Sequence, residues 1–339
     1  FDEHARLSAY ENDGRRSFDL SGMVGLSRAE YDTLKPVPWP VRGGDTKNAE
    51  RPFSGGQFDT DDGRARLIPI RVRPKEENRR SYPLRLNTGR IRDQWHTMTR
   101  TGRSATLSAH ISEPYAEMHP DTAAQYGIEH GGLVRVKSEH GSVTVRAHVS
   151  SHQMLNAVFV PMHWTAVLSS NGRVNAAVHA QVDPVSAQPD LKATPVYIEP
   201  VDVAWYGFVI TRRELDLNHF AYWVRVQGDG VLRYEIAGGQ TPDDFARWAR
   251  SWLCDEQTGS EWIEYLDARQ GRYRALRVVD DALESCVFIA PSTKLPSREW
   301  LTAQFHKKEV DPLERHNILA GRPNAGDISD ETMICACHK

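Results

Sequence analysis

Leu86-Asn87-Thr88-Gly89-Arg90-Ile91-Arg92-Asp93-Gln94-Trp95-His96-Thr97-Met98-Thr99-Arg100 packs hydroxyls, a glycine, guanidinium groups, an indole and an imidazole into one segment. That is an unusual inventory for a plain strand or a surface helix. Gly89 lets the backbone approach a ligand closely or take a positive φ. Thr88 and Arg90 beside it supply hydroxyl and guanidinium donors suited to phosphate oxygens. Such a turn could cradle a pyrophosphate. Trp95, His96 and Thr97 add a stacking face, a ring that can donate or accept a proton, and a further hydroxyl, which together suit a polar heterocycle. The plainer reading is a polar loop anchored by one tryptophan, and spacing alone leaves both open.

Working outward, Phe159-Val160-Pro161-Met162-His163-Trp164, then Asn175, then Asp183-Pro184-Val185-Ser186-Ala187-Gln188-Pro189-Asp190-Leu191-Lys192 follow in order. With the first segment, these motifs resemble the pterin-dinucleotide-binding turn and its companions in the molybdopterin oxidoreductases, in the branch holding periplasmic and assimilatory nitrate reductases. Ordered motifs over such a length are far more specific than a lone glycine motif. The resemblance implies a double-psi β-barrel. It implies that Thr88, Gly89, Arg90, Asp93, Gln94, Trp95, His96 and Thr97 grip the guanosine dinucleotide arms of a molybdenum bis(molybdopterin guanine dinucleotide). It also implies that Met162 lies near the substrate funnel, that Asn175 hydrogen-bonds a pterin and that Lys192 meets the dinucleotide. An amide that donates and accepts suits a pterin edge, and a lysine suits a phosphate or guanine oxygen. The plainer readings are a turn residue for Asn175 and a solvated charge for Lys192.

The family also carries a [4Fe-4S] cluster near its N-terminus and, in this branch, a cysteine sulfur on molybdenum. None of Cys254, Cys286, Cys335 and Cys337 matches those motifs. The expected contribution of this chain is therefore one wall of the cofactor pocket, which fixes and tunes the cofactor without supplying the metal ligand. Cys335-Ala336-Cys337 resembles the opening of a bacterioferritin-associated-ferredoxin-like module. Two thiolates there would form half of a [2Fe-2S] site, whose other pair lies beyond Lys339. Cys254 and Cys286 read as packed thiols, because neither has a close Cys or His at metal spacing. His163, with His152 and His179 nearby, reads as a set of satisfied polar histidines on a barrel rim.

With 339 residues, 40% hydrophobic and 26% charged, the chain can bury a sizeable core in two or three domains. Its net charge of -3 gives no basic excess, so a nucleic-acid partner is not expected. No apolar run approaches transmembrane length, so no membrane partner is expected either. Phe1-Asp2-Glu3-His4 shows neither an initiator methionine nor a signal peptide, and the chain reads as a piece of a longer one. Four cysteines fit a reducing compartment, with the cytoplasm as the default.

The expected class is mainly β with α+β: a double-psi β-barrel followed by a small α+β domain. Residues 1–80, rich in turn formers and charge, resemble a connection from an upstream catalytic domain. Residues 81–200 hold the barrel, 201–300 the small domain, and 301–339 a linker and the start of the [2Fe-2S] module. Within the barrel, Asp121 to Tyr126 reads as a helix entered by Pro120 and stopped by Gly127. Leu133 to Lys137 and Val143 to Val149 read as strands, the second with Val143, Val145, Ala147 and Val149 on the buried face. Beyond it, Trp205 to Thr211 and Phe220 to Val226 read as strands. Pro242 to Leu253 reads as an amphipathic helix with Phe245, Trp248, Ala249 and Trp252 on its apolar face. Tyr273 to Val279 and Ser285 to Ile289 read as a hairpin across 280–283, with helices from Pro296 to Phe305 and Pro312 to Leu319.

The resemblance implies a part of a cytoplasmic assimilatory nitrate reductase, reducing nitrate to nitrite with electrons from a ferredoxin, a flavodoxin or an NADH-linked subunit. Formate dehydrogenase shares the same barrel and is the enzymatic alternative. A stand-alone barrel that binds a nucleotide without catalysis is the alternative from another class.

Overall fold

The structure, a computed structural model, describes residues 1–43, 51–69, 80–254 and 259–323. It divides into a unit from Phe1 to Lys75 and a larger one from Glu76 to Lys339. The smaller unit has helices Asp2–Ser8 and Arg28–Asp32, the latter opened by a Ser27–Glu30 capping box. Its buried side chains are few and half of them polar: Ala5, Met23 and Val41 with Ser8, Asn12 and Asp19. Asn12 is held inside by backbone carbonyls and by the Asp19 carboxylate, as buried amides must be.

The larger unit begins with a closed six-stranded barrel. Its strands are β1 (Leu84–Gly89), β2 (Tyr115–Met118), β3 (Leu133–Lys137), β4 (Ser142–Val149), β5 (Ala157–Pro161) and β6 (Thr194–Pro200). They close in the order β1-β5-β2-β4-β3-β6, with β1/β5 and β2/β4 parallel and the other ladders antiparallel. Alternate residues of every strand point inward, and Leu86, Met118, Val136, Val145, Val158 and Ile198 fill the interior. Because β1 and β5 run parallel, their C-terminal ends lie at the same end of the barrel, and the connections that follow them, 90–114 and 162–193, leave from that end. Helix Pro120–Gln125 starts with Pro120 at its first turn and is followed by Gly127 at φ 65°, as read from the sequence. On β4, Thr144 is buried along with the valines, because its outer side is covered where its N–H bonds Asn171.

Six further strands follow: β7 (Trp205–Thr211), β8 (Tyr222–Gln227), β9 (Leu232–Gly238), β10 (Ser260–Asp267), β11 (Arg272–Val279) and β12 (Ala282–Ala290). They form an antiparallel sheet in the order β10-β11-β12-β7-β9-β8. Helix Phe245–Leu253 packs one face with Phe245, Ala249 and Leu253. The other face is covered by Leu301 and Ile318, from helices Arg298–Gln304 and Pro312–Ala320, and by Phe305, which caps the first of these at its C-terminus.

Several expectations shift here. The helix predicted from Pro242 begins at Phe245, because the Asp244 side chain accepts the Arg247 N–H and caps it there. The strand predicted from Phe220 begins at Tyr222, since Phe220 closes a turn onto Leu217. The hairpin separator narrows to Asp280-Asp281, both at positive φ, the geometry of a two-residue turn. Cys286 is buried as predicted, whereas Cys254 is exposed at the helix C-terminus rather than packed, the cap position facing outward.

Candidate functional site

β1 delivers Thr88 and Gly89 to the mouth of the barrel, and the chain then enters the turn from Arg90 to Met98. Thr88 is buried, and its Oγ1 has no partner among the described residues. Gly89 lies opposite β5, where an added Cβ would stand 3.3 Å from the Phe159 ring and 3.5 Å from Lys192 Nζ. Its carbonyl accepts the Met162 N–H at 2.9 Å. The Lys192 ammonium donates to the Thr88 carbonyl, and Ala193 N–H reaches Asn87 Oδ1. Thr88, Gly89, Met162 and Lys192 are thereby gathered at one spot from three separate segments.

Past Gly89 the turn exposes its polar atoms. Trp95 is 56% exposed, with the Arg90 guanidinium 4.5 Å above its ring and the His96 ring against its edge. The Thr97 and Thr99 hydroxyls bond each other at 3.0 Å. His96 and Met98 hold positive φ of 46° and 61°, a conformation side chains other than glycine adopt only when their surroundings impose it.

Those surroundings are identifiable. Met98 and Trp164 are buried against Tyr222, Val224 and Val226, so the antiparallel sheet buttresses the turn. Gln94 is buried, its amide donating to the Leu107 carbonyl at 3.3 Å while Oε1 has no partner among the described residues. The Arg92 guanidinium bonds Asp93 and, with His110, holds its carboxyl below the usual carboxylate range. His163 is fully buried: Nε2 accepts the Ile91 N–H at 2.9 Å and Nδ1 donates to the His96 carbonyl at 2.6 Å. That pattern fits one neutral tautomer. Burial, reinforced by the Arg90 charge, pushes its pKa below the ordinary 6.5. The ring is satisfied, as read from the sequence, and it pins both flanks of the exposed turn.

Asn175 stands apart. It is exposed on the short helix Val174–Ala176, which leans on the β3–β4 turn at Gly141. His110 has no flag in the sequence, because its partner Asp93 lies on a different stretch and only the fold joins them. Cys335 and Cys337 lie outside the described residues. His152 is exposed, and His179 is buried with Asp190 at 3.4 Å.

Residues 84–195 match the family described as the molydopterin dinucleotide binding domain. A nitrate reductase of Klebsiella oxytoca is 35% identical over 99% of this chain. The assimilatory nitrate reductase catalytic subunit of Bacillus subtilis is 34% identical over 55% of it. The F420-dependent formate dehydrogenase subunit alpha of Methanocaldococcus jannaschii is 34% identical over 43% of it. The chain spans 38%, 26% and 21% of the lengths of these relatives, respectively. A closed barrel with its polar turn at the mouth, the domain match over that barrel, and similarity along nearly the whole chain support a C-terminal part of a molybdopterin oxidoreductase.

Proposed function

We propose that this chain forms one wall of the bis(molybdopterin guanine dinucleotide) pocket in a cytoplasmic assimilatory nitrate reductase. The observation that carries the reading is the partnerless, buried Thr88 hydroxyl beside Gly89, with Lys192 and Arg90 around it. A buried polar atom without a partner costs about 1–3 kcal/mol, and a ligand oxygen at the barrel mouth would remove that cost. The donor set fits the group: ammonium and guanidinium for phosphate oxygens, an exposed indole for a flat heterocycle, and hydroxyls for sugar and base edges.

Thr88, Gly89, Arg90, Asp93, Gln94, Trp95, His96 and Thr97 would hold the dinucleotide, with Lys192 on its phosphate or guanine side. Asn175 would meet a pterin and Met162 would border the substrate funnel. When bound, the molybdenum group supplies the oxygen-atom transfer that converts nitrate to nitrite. This chain orients the dinucleotide and excludes water from its buried end. Similarity to a nitrate reductase extends along 99% of the chain, against 43% for the formate dehydrogenase, and favours nitrate as substrate. The [4Fe-4S] cluster and the metal's cysteine would come from outside this chain. Cys335 and Cys337 would supply half of a [2Fe-2S] site, and a ferredoxin, flavodoxin or NADH-linked subunit would deliver electrons.

Arg90→Ala in the full-length enzyme tests this. Molybdenum content and nitrate reduction should fall together, with the fold retained because Arg90 is exposed. Unchanged occupancy and activity would overturn the assignment.

A further inference from the structure

A cavity of about 330 Å³ opens at the edge of the antiparallel sheet, between the β10–β11 hairpin and helix Pro312–Ala320. Three guanidiniums line it: Arg272, Arg274 and Arg322. Arg274 is fixed in place. Its Nη1 donates to the carbonyls of Leu319 and Ala320 at the helix C-terminus, and its charged end lies 5.8 Å from the Phe288 ring. Arg322 is brought in by Gly321, whose left-handed conformation ends the helix and lets the Arg322 N–H close onto the Asn317 carbonyl. Arg272 lies opposite Asp267 in the β10–β11 register. Among the described residues Asp267 is the one carboxylate lining the cavity, and its Oδ1 accepts the Gln270 N–H.

No carboxylate among the described residues forms an ion pair with Arg272 or Arg322. On this sheet and the helices against it arginines are matched: Arg298 and Arg233 to Glu235, Arg250 to Glu264, Arg315 to Glu261 and Asp281. Three cations against one carboxylate in a single concavity repel one another. Burial, with Arg272 and Arg322 close by, lowers the Arg274 pKa accordingly. An anion of charge -2 would balance the excess, and guanidinium forks suit phosphate oxygens in two-bond contacts. The Tyr265 and His316 side chains on the walls leave room for an organic group attached to the phosphate.

We propose that this cavity binds a phosphate dianion, free or carried by a small phosphomonoester. The site is separate from the barrel mouth and stands without the nitrate reductase reading.

Isothermal titration of the full chain at fixed ionic strength tests it, with inorganic phosphate and adenosine 5′-monophosphate as probes and sodium nitrate as the monoanion control. Saturable phosphate binding is expected, weakened about tenfold or more in R272Q/R322Q and unchanged in R247Q, an exposed arginine outside both sites. Both replaced arginines are exposed, so the thermal midpoint should hold and show that the variant is folded. Tighter binding of the monophosphate than of phosphate would support an organic ligand, and equal binding would support free phosphate. The proposal is overturned by an absence of saturable binding, by equal binding of nitrate, by full affinity in R272Q/R322Q, or by an equal loss of phosphate binding in R247Q.

Discussion

The barrel and the antiparallel sheet bury comparable apolar cores, yet they differ in how their strands are joined. β11 and β12 are connected by Asp280-Asp281 alone, and β8 and β9 by residues 228–231. In the barrel β1 and β5 run parallel and end at the same mouth, and the connections that follow them are long, 90–114 and 162–193. Those two connections carry the residues gathered at the barrel mouth. Parallel pairing therefore does more than close a barrel: it brings the loops after β1 and β5 out at one end, where a rigid scaffold can aim them at a ligand. The sheet spends its polar chemistry differently, on ion pairs within its own framework. Glu235 is buried, and although burial alone would raise its carboxyl pKa, Arg298 and Arg233 hold it below the usual range.

The largest expected effect breaks the sheet and leaves the barrel mouth alone. Glu235→Ala strands Arg298 and Arg233 next to one another, and loss of one partner of a buried pair costs about 3–5 kcal/mol. Urea denaturation should show that loss, while guanosine diphosphate binding to the remaining folded chain stays as in the unmodified protein. A nucleotide affinity that falls in parallel with stability would merge the two regions into one functional body. Tyr222 of β8 makes that a real alternative, since its hydroxyl donates to Glu113, which also pairs with Arg146 of the barrel.

Two histidines sharpen the contrast. His163 in the barrel loops and His219 in the sheet's aromatic cluster both have pKa values lowered chiefly by burial, with Asp216 opposing the shift at His219. The unfolded chain takes up protons near 6.5 where the folded rings resist. Stability is therefore fully present above that pH and falls as the pH drops below it. H163Q and H219Q should each flatten part of this slope in denaturation midpoints recorded at pH 5.5 and 7.5. Only H163Q should also weaken nucleotide binding, at a stability cost of about 1–3 kcal/mol, because it frees Ile91 and His96 at the two flanks of the turn. An unchanged pH slope with unchanged nucleotide affinity in H163Q would remove His163 from the site's support.

The sequence disclosed these two regions unequally. β3 and β7 were legible to the residue, because alternation or an unbroken apolar run marks a strand that neighbours cover. β10 was not legible: Ser260–Asp267 is largely exposed and lies at the sheet's edge, so no inward period imprints on it. The short β2 and the parallel register of β1 with β5 depend on partners far along the chain. At the mouth, the chemistry of Thr88 to Thr97 could be read, but the meeting of Lys192 with Thr88 could be anticipated only through the family resemblance. The Asp93–His110 pair, made when the 90–114 connection folds back on itself, and the seat of Met98 and Trp164 on β8, made by packing of the sheet against the loops, had no local signature.

The smallest effect concerns the two kinds of positive-φ residue. His96 and Met98 hold that conformation in an exposed loop fixed from outside, whereas Asp280 and Asp281 hold it in a two-residue turn whose strands impose it. Asp281 is also tied to Arg315, so its substitution would mix turn geometry with a lost ion pair. Asp280 makes no such pair among the described residues, and asparagine is favoured at the first position of this turn type. Asp280→Asn should therefore raise stability by a few tenths of a kcal/mol, about 0.5 at most, seen as a small rise in the urea midpoint with unchanged slope. A drop in that midpoint would mean that the Asp280 carboxylate contributes beyond its backbone conformation. At His96, by contrast, glycine would relieve about 1 kcal/mol of backbone strain yet loosen the ring-edge contact with Trp95, so stability and nucleotide affinity should move in opposite directions there and together nowhere in the sheet's turn.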